Sequence, residues 1–157
     1  MTPNPPDPLS LDPDQFREPL KALYSELDSE IAALAPQCDL SGRCCRFQEF
    51  DHTLFLSTVE ASFLLADAPE PSRVLDSGAT CPWQNDRGLC TAREARPLGC
   101  RVFFCDPVYQ EPGRDLAERA IQTLKKLVDS LDLPWNYAPL HYHLHAAASS
   151  KDLSKTR

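Results

Sequence analysis

Seven cysteines stand at Cys38, Cys44, Cys45, Cys81, Cys90, Cys100 and Cys105 in a chain of 157 residues. They form two blocks, Cys38-x5-Cys44-Cys45 and Cys81-x8-Cys90-x9-Cys100-x4-Cys105. The thiolate is the metal-ligating form of this side chain, and zinc and iron–sulfur clusters are its usual soft partners. An odd count excludes complete pairing as internal disulfides. No Cys-x-x-Cys pair is present, which argues against a thioredoxin-like redox site, and the ferredoxin spacings are absent. Two distant blocks converging on one centre is how many zinc and iron–sulfur sites are built. All seven cysteines are therefore expected as metal ligands, with zinc or an iron–sulfur cluster as the cofactor.

Neighbouring side chains diverge in helix and strand alike. Cys44 and Cys45 can hardly share one mononuclear ion without strain, whereas the irons of a cluster lie at different corners. This, with the surplus of thiolates, tilts the reading toward iron–sulfur. The favoured four-ligand set is Cys100 and Cys105, with Cys81 or Cys90 and with Cys44 or Cys45. A lone cysteine is more often a small buried hydrophobe, but seven beside turn and cap signals are not explained that way.

The basic residues support the same chemistry. From Cys38 to Arg114 every one is Arg, and Arg43, Arg46, Arg96 and Arg101 lie within a few residues of a cysteine. Guanidinium groups are suited to offset the negative charge of several thiolates and to orient their sulfurs. The competing reading is a set of ordinary surface arginines.

At these residues the chain resembles the CxxCxxCC cysteine-cluster family, the YkgJ-like zinc- or iron-chelating domain proteins. Its first block here runs from Cys38 to Cys45. Its second runs from Cys90 to Cys105 and contains Arg96-Pro97-Leu98-Gly99-Cys100-Arg101-Val102-Phe103-Phe104-Cys105. The Arg-Pro-x-x-Cys-Arg-x-Phe-x-Cys run matches throughout. Ser41 stands where the family has its second cysteine, and Arg93 where an aromatic is usual. The resemblance covers residues 38–105 and implies metal chelation, without implying a reaction. A single four-cysteine centre survives the loss at Ser41. So does a second centre completed by water or a non-cysteine ligand.

Other candidates are weaker. His141, His143 and His145 alternate, so a strand would put all three on one face, a possible metal-binding face, and a helix would spread them. A polar C-terminal segment is the simpler account. His52 follows the first block and is a substitute for the missing ligand. Trp83, Phe103 and Phe104 are expected to wall the cysteines off from water. No phosphate-binding glycine loop and no hydrolytic triad pattern is visible.

The elements that position these residues are mainly α-helical, flanking an irregular cysteine-rich core with little sheet. Residues 1–12 read as a flexible, proline-rich leader. Asp12 and Pro13 open a helix over about 13–35, with Phe16, Leu20, Leu23, Leu27, Ile31 and Leu34 as its apolar stripe. Thr53 to Leu56 is strand-like. Ser57 and Glu60 form a capping box for a helix to about Ala66. Residues 67–80 read as a surface loop. Asn85-Asp86-Arg87-Gly88 is a tight turn, folding Cys81 and Cys90 back toward each other, and Thr91 with Glu94 is a second capping box. A helix over about 114–132 buries Ala117, Ile121, Leu124, Val128 and Leu131. Residues 135–148 add a short helix or extended segment, and 149–157 a polar tail. Residues 13–148 are expected to be one domain.

Hydrophobic residues make up 42% of the chain and charged residues 25%, which is the balance of a globular protein. A net charge of −7 leaves no basic footprint for nucleic acid. The N-terminal residues are neither cationic nor apolar, and no apolar run reaches the ~20 residues of a spanning helix. A cytoplasmic location follows, with the metal as partner and no membrane. Three functions use such a donor set: a metal-binding module, an iron–sulfur electron carrier or metal-dependent enzyme with an open site, and a metal trafficking or sensing protein.

Overall fold

Apolar residues at helical spacing after Asp12 build the first wall of the core. A computed structural model of the chain describes residues 5–36, 53–71, 80–103, 106 and 108–155, with 149–155 given by backbone alone. Asp12 accepts from the Asp14 N–H and starts a 3-10 turn over Pro13–Gln15. Helix α1 then runs over Arg17–Leu34, later than the expected start at residue 13. It ends at Ala35, whose φ of 48° is left-handed and whose N–H caps the last turn. Phe16, Leu20, Leu27 and Ile31 are buried as expected. Leu34 is exposed, and Tyr24 takes the place in the stripe that the spacing had given to the half-buried Leu23.

The capping box at Ser57 forms. The Ser57 Oγ accepts from the Glu60 N–H, while the Glu60 carboxylate accepts from the Ser57 N–H. Helix α2 spans Thr58–Asp67, preceded by strand β1 over Phe55–Ser57. The second box does not form. Thr91 turns its hydroxyl to the Trp83 carbonyl at 2.8 Å, and the 3-10 turn Arg93–Ala95 has no side-chain cap. Helix α3, over Leu98–Arg101, starts directly after Pro97.

Helix α4 spans Gln110–Ser130, starting and ending earlier than residues 114–132. Its buried face is Gly113, Leu116, Ala120, Leu124 and Val128. The expected Ala117 and Ile121 sit one residue off that face and are half-buried. A Cβ on Gly113 would meet the ring of Tyr109, the residue that precedes α4, at 2.3–2.8 Å, so glycine lets that ring fold back over the first turn. α1 packs on α4.

Strand β2, Tyr137–Pro139, pairs antiparallel with β1 in a register that sets Leu56 against Ala138. Helix α5 follows at once over Leu140–Lys155, so the segment expected as a polar tail from residue 149 continues as helix to Lys155. Within the segment expected as a loose leader, Pro8–Ser10 forms a 3-10 turn against α2 and α5, and Pro8 is buried, while residues 1–4 lie outside the described residues. The fold is mainly α with one two-stranded sheet, as expected. The cysteine-rich core is only partly within the described residues. No helix among them is long and apolar enough to cross a membrane.

His143 shows what the helical setting does to the histidine run. Its ring is fully buried, and its Nε2–H donates to the Leu56 carbonyl at 2.8 Å. His143 is thus a core residue and not part of a solvated polar segment. Burial lowers its affinity for a proton below the ordinary 6.5. A base held neutral in the fold stabilises fully above its unfolded pKa, and that contribution is lost as pH falls. Stability is therefore expected to drop as pH is lowered below about 6.5, and His143→Ala to cost about 2 kcal/mol by removing a buried hydrogen bond to the Leu56 carbonyl and leaving a cavity. Urea unfolding across pH 5 to 8, wild type against variant, measures both.

Candidate functional site

The best-described part of the cysteine region is the stretch from Cys81 to Arg101. Its hairpin forms as the sequence implies. Asn85 accepts from the N–H groups of Arg87 and Leu89, and Gly88 takes a φ of 77° that favours glycine. The register sets Cys90 opposite Gln84 and not Cys81, and Thr91 donates to the Trp83 carbonyl. The turn therefore folds the strand back, but with Cys81 three residues beyond the Cys90 partner. Cys81 is buried, while Cys90 and Cys100 are half-buried. Trp83 is buried, as a wall residue should be, and its indole N–H donates to the Pro69 carbonyl at 2.8 Å.

Cys100 sits in α3, and what holds α3 is a carboxyl. Glu60 has no exposed surface. Its Oε2 accepts from the Tyr24 hydroxyl at 2.8 Å and from the Leu98 N–H at 2.7 Å. Its Oε1 accepts from the Ser57 N–H and hydroxyl, both at 3.2 Å. One side chain thus joins α1, the start of α2 and the first N–H of α3. Helix N-termini carry N–H groups without intrahelical partners, and a carboxylate is a strong acceptor for them.

Arg101 closes the arrangement from the other side. It is buried, with its guanidinium 4.1 Å from the centre of the Tyr24 ring. Nε donates to the Arg96 carbonyl, Nη2 to the Glu94 carbonyl and Nη1 to Asp28 at 2.7 Å. The donors of Arg101 are directed to α1 and the turn before α3. Arg96 likewise donates to the Arg93 carbonyl.

The electrostatics around Cys100 are those of a poorly solvated floor. Burial pushes Glu60 up against the pull of its four donors. Burial also raises Tyr24 well above its usual range, with Glu60 adding to the effect. Tyr137, on β2, is pushed up to about 12 by burial, with smaller contributions from Glu60 and Cys100. Three acids are thus held toward their neutral forms beside this thiol.

Cys38, Cys44, Cys45 and Cys105 lie outside the described residues, as do His52, Arg43, Arg46 and Phe104. Among the described residues no three His, Cys, Asp or Glu side chains come together to hold a metal. Cys81, Cys90 and Cys100 therefore do not form a three-ligand site by themselves. The histidine run is divided by α5: His143 faces inward, while His141 and His145 lie on the opposite side. Tyr24 and Glu60 were missed as residues of this region. The signal for Glu60 was present, but only as the local cap. No protein-family model, no curated protein and no solved structure matches the chain.

Removing the Glu60 carboxyl leaves the Leu98 and Ser57 N–H groups and the Tyr24 hydroxyl without their acceptor, so Glu60→Ala is expected to cost at least about 3 kcal/mol. Because its folded pKa is raised above 4.5, the stability linked to its proton is full below that value and is lost as pH rises through the folded pKa. Glu60→Gln should flatten this part of the pH–stability curve above pH 4.5. A curve as steep as wild type in the Gln variant would assign the slope to other groups.

Proposed function

We propose that the protein is a cysteine-cluster metal-binding module, chelating zinc or an iron–sulfur cluster through thiolates. The observation that carries this reading is the setting of Cys100. Its thiol is half-buried on a one-turn helix fixed from two sides by Glu60 and Arg101. A preorganised thiol is what a ligand needs, since little ordering remains to be done on binding.

The charge balance points the same way. Arg101 is already committed to Asp28, to the Tyr24 ring and to two carbonyls. The nearby acids Glu60, Tyr24 and Tyr137 offer no positive charge. A thiolate at Cys100 is best compensated by a bound cation. The donor set of half-buried and buried thiols suits a soft metal. Since the described cysteines do not form a three-ligand group, the set of Cys100 and Cys105 with Cys81 or Cys90 draws its remaining ligand from Cys44 or Cys45.

When bound, the metal supplies cross-linking of the two cysteine blocks, and in an iron–sulfur form also an electron-transfer centre. The chain itself supplies position. Pro97 and Glu60 set the start of α3, Arg101 anchors its end, and Trp83 excludes water from the hairpin side. Retention of the metal as a resident centre is the reading favoured over hand-over to a partner, because the Cys100 helix is held so firmly.

Purification without oxygen, with a visible spectrum and bound metal and sulfide measured, tests this. A brown, sulfide-containing protein identifies a cluster, and a colourless one with stoichiometric zinc a zinc site. Cys100→Ala is expected to lose metal and to loosen the chain together. A folded wild-type protein with no metal and all thiols reduced overturns the reading.

A further inference from the structure

The geometry points to a second, separate metal site on the surface of α5, a two-imidazole chelate for a borderline divalent ion formed by His141 and His145. It goes beyond the cysteine reading and does not rest on it. On a helix of 3.6 residues per turn, positions four apart are about 40° from each other and positions two apart about 200°. The strand reading, with all three histidines on one face, is replaced by a clean division. His143 points into the core, tied to the Leu56 carbonyl. His141 and His145 share the other face, half-buried and exposed respectively.

The two rings already lie together. Their centres are 6.5 Å apart with planes at 87°. Two imidazoles on one ion, each nitrogen ~2.1 Å from it, have ring centres about 5 Å apart. A modest change of side-chain rotamer closes that difference, and an exposed His145 is free to make it. His141 is the fixed member, its ring set edge-on to Tyr142 at 4.7 Å.

Among the described residues no third His, Cys, Asp or Glu joins the pair. Water fills the remaining positions, so the site is open and exchangeable. Imidazole donors without sulfur suit copper, nickel and zinc, so zinc is common to both donor sets and nickel is the more discriminating probe.

The experiment is a calorimetric and spectroscopic titration of the full chain, its cysteine centre already filled with the metal it carries on isolation without oxygen, with Ni2+. One equivalent is expected to bind without the sulfur-to-nickel absorption that thiolate ligation gives. Either His141→Ala or His145→Ala should weaken that binding at least about tenfold, since the second ligand acts at high effective concentration. The absence of sulfur-to-nickel absorption separates failure of this site from failure of the cysteine centre. His145 is exposed, so its variants keep the fold, as circular dichroism will verify. Wild-type affinity in His145→Ala, sulfur-to-nickel absorption in the bound form, or no Ni2+ binding at all overturns the proposal.

Discussion

A carboxyl with no access to water needs its acceptor sites filled, and Glu60 has four donors on it. That requirement organises the middle of the molecule. Tyr24 must present its hydroxyl, so α1 is fixed in rotation. Leu98 must present its N–H, so α3 begins there and nowhere else. Ser57 must cap α2 from the same point. Because burial of the group is costly unless every partner is present, a small movement of any one element is felt by the others. The interaction therefore defines a unique arrangement more than it adds raw stability. Arg101 extends it, stacking on the same Tyr24 ring and reaching Asp28 one turn further along α1.

Much of this frame is legible in the sequence, and the unread part has a physical reason. The Ser57–Glu60 box, the Asn85–Gly88 turn and the apolar spacing of α1 are local patterns, and local patterns are what a sequence displays. Glu60 was readable only as an N3 capping residue. One of its oxygens does that work, while the other reaches partners 36 and 38 residues away. Arg101 reads as a companion of Cys100 because the two are adjacent, yet its donors turn to Asp28, a contact across 73 residues. Tyr24 fell outside the apolar stripe because its phenol counts as polar until a buried acceptor is known. The face of α4 is offset by one residue onto Leu116 and Ala120, a matter of how the helix seats on its neighbours that hydrophobic periodicity does not encode.

The candidate site divides along the same line. The sequence names seven thiols and leaves their meeting to the fold. For the described three, the fold gives Cys100 a rigid seat, sets Cys90 against Gln84 and buries Cys81. The histidines show the converse. Their alternation looked like one strand face, and the helix that follows Pro139 sorts them by a different period into one structural residue and one outward pair. Secondary structure, not composition, decides which donors become neighbours.

The β1–β2 ladder has a consequence for the order in which the molecule is made. It joins Phe55 to Pro139, and Leu140 then donates back to the Leu54 carbonyl. Closing so long a loop is entropically unfavourable until the intervening elements have collapsed. Tyr137 reaches its place, stacked on Phe55 and Trp135, only with that closure. The elements joined by Glu60 have all emerged by then, whereas the ladder and the seat of α5 are late products of synthesis. The C-terminal clasp is thus a timing element, closing over a frame whose parts are already made.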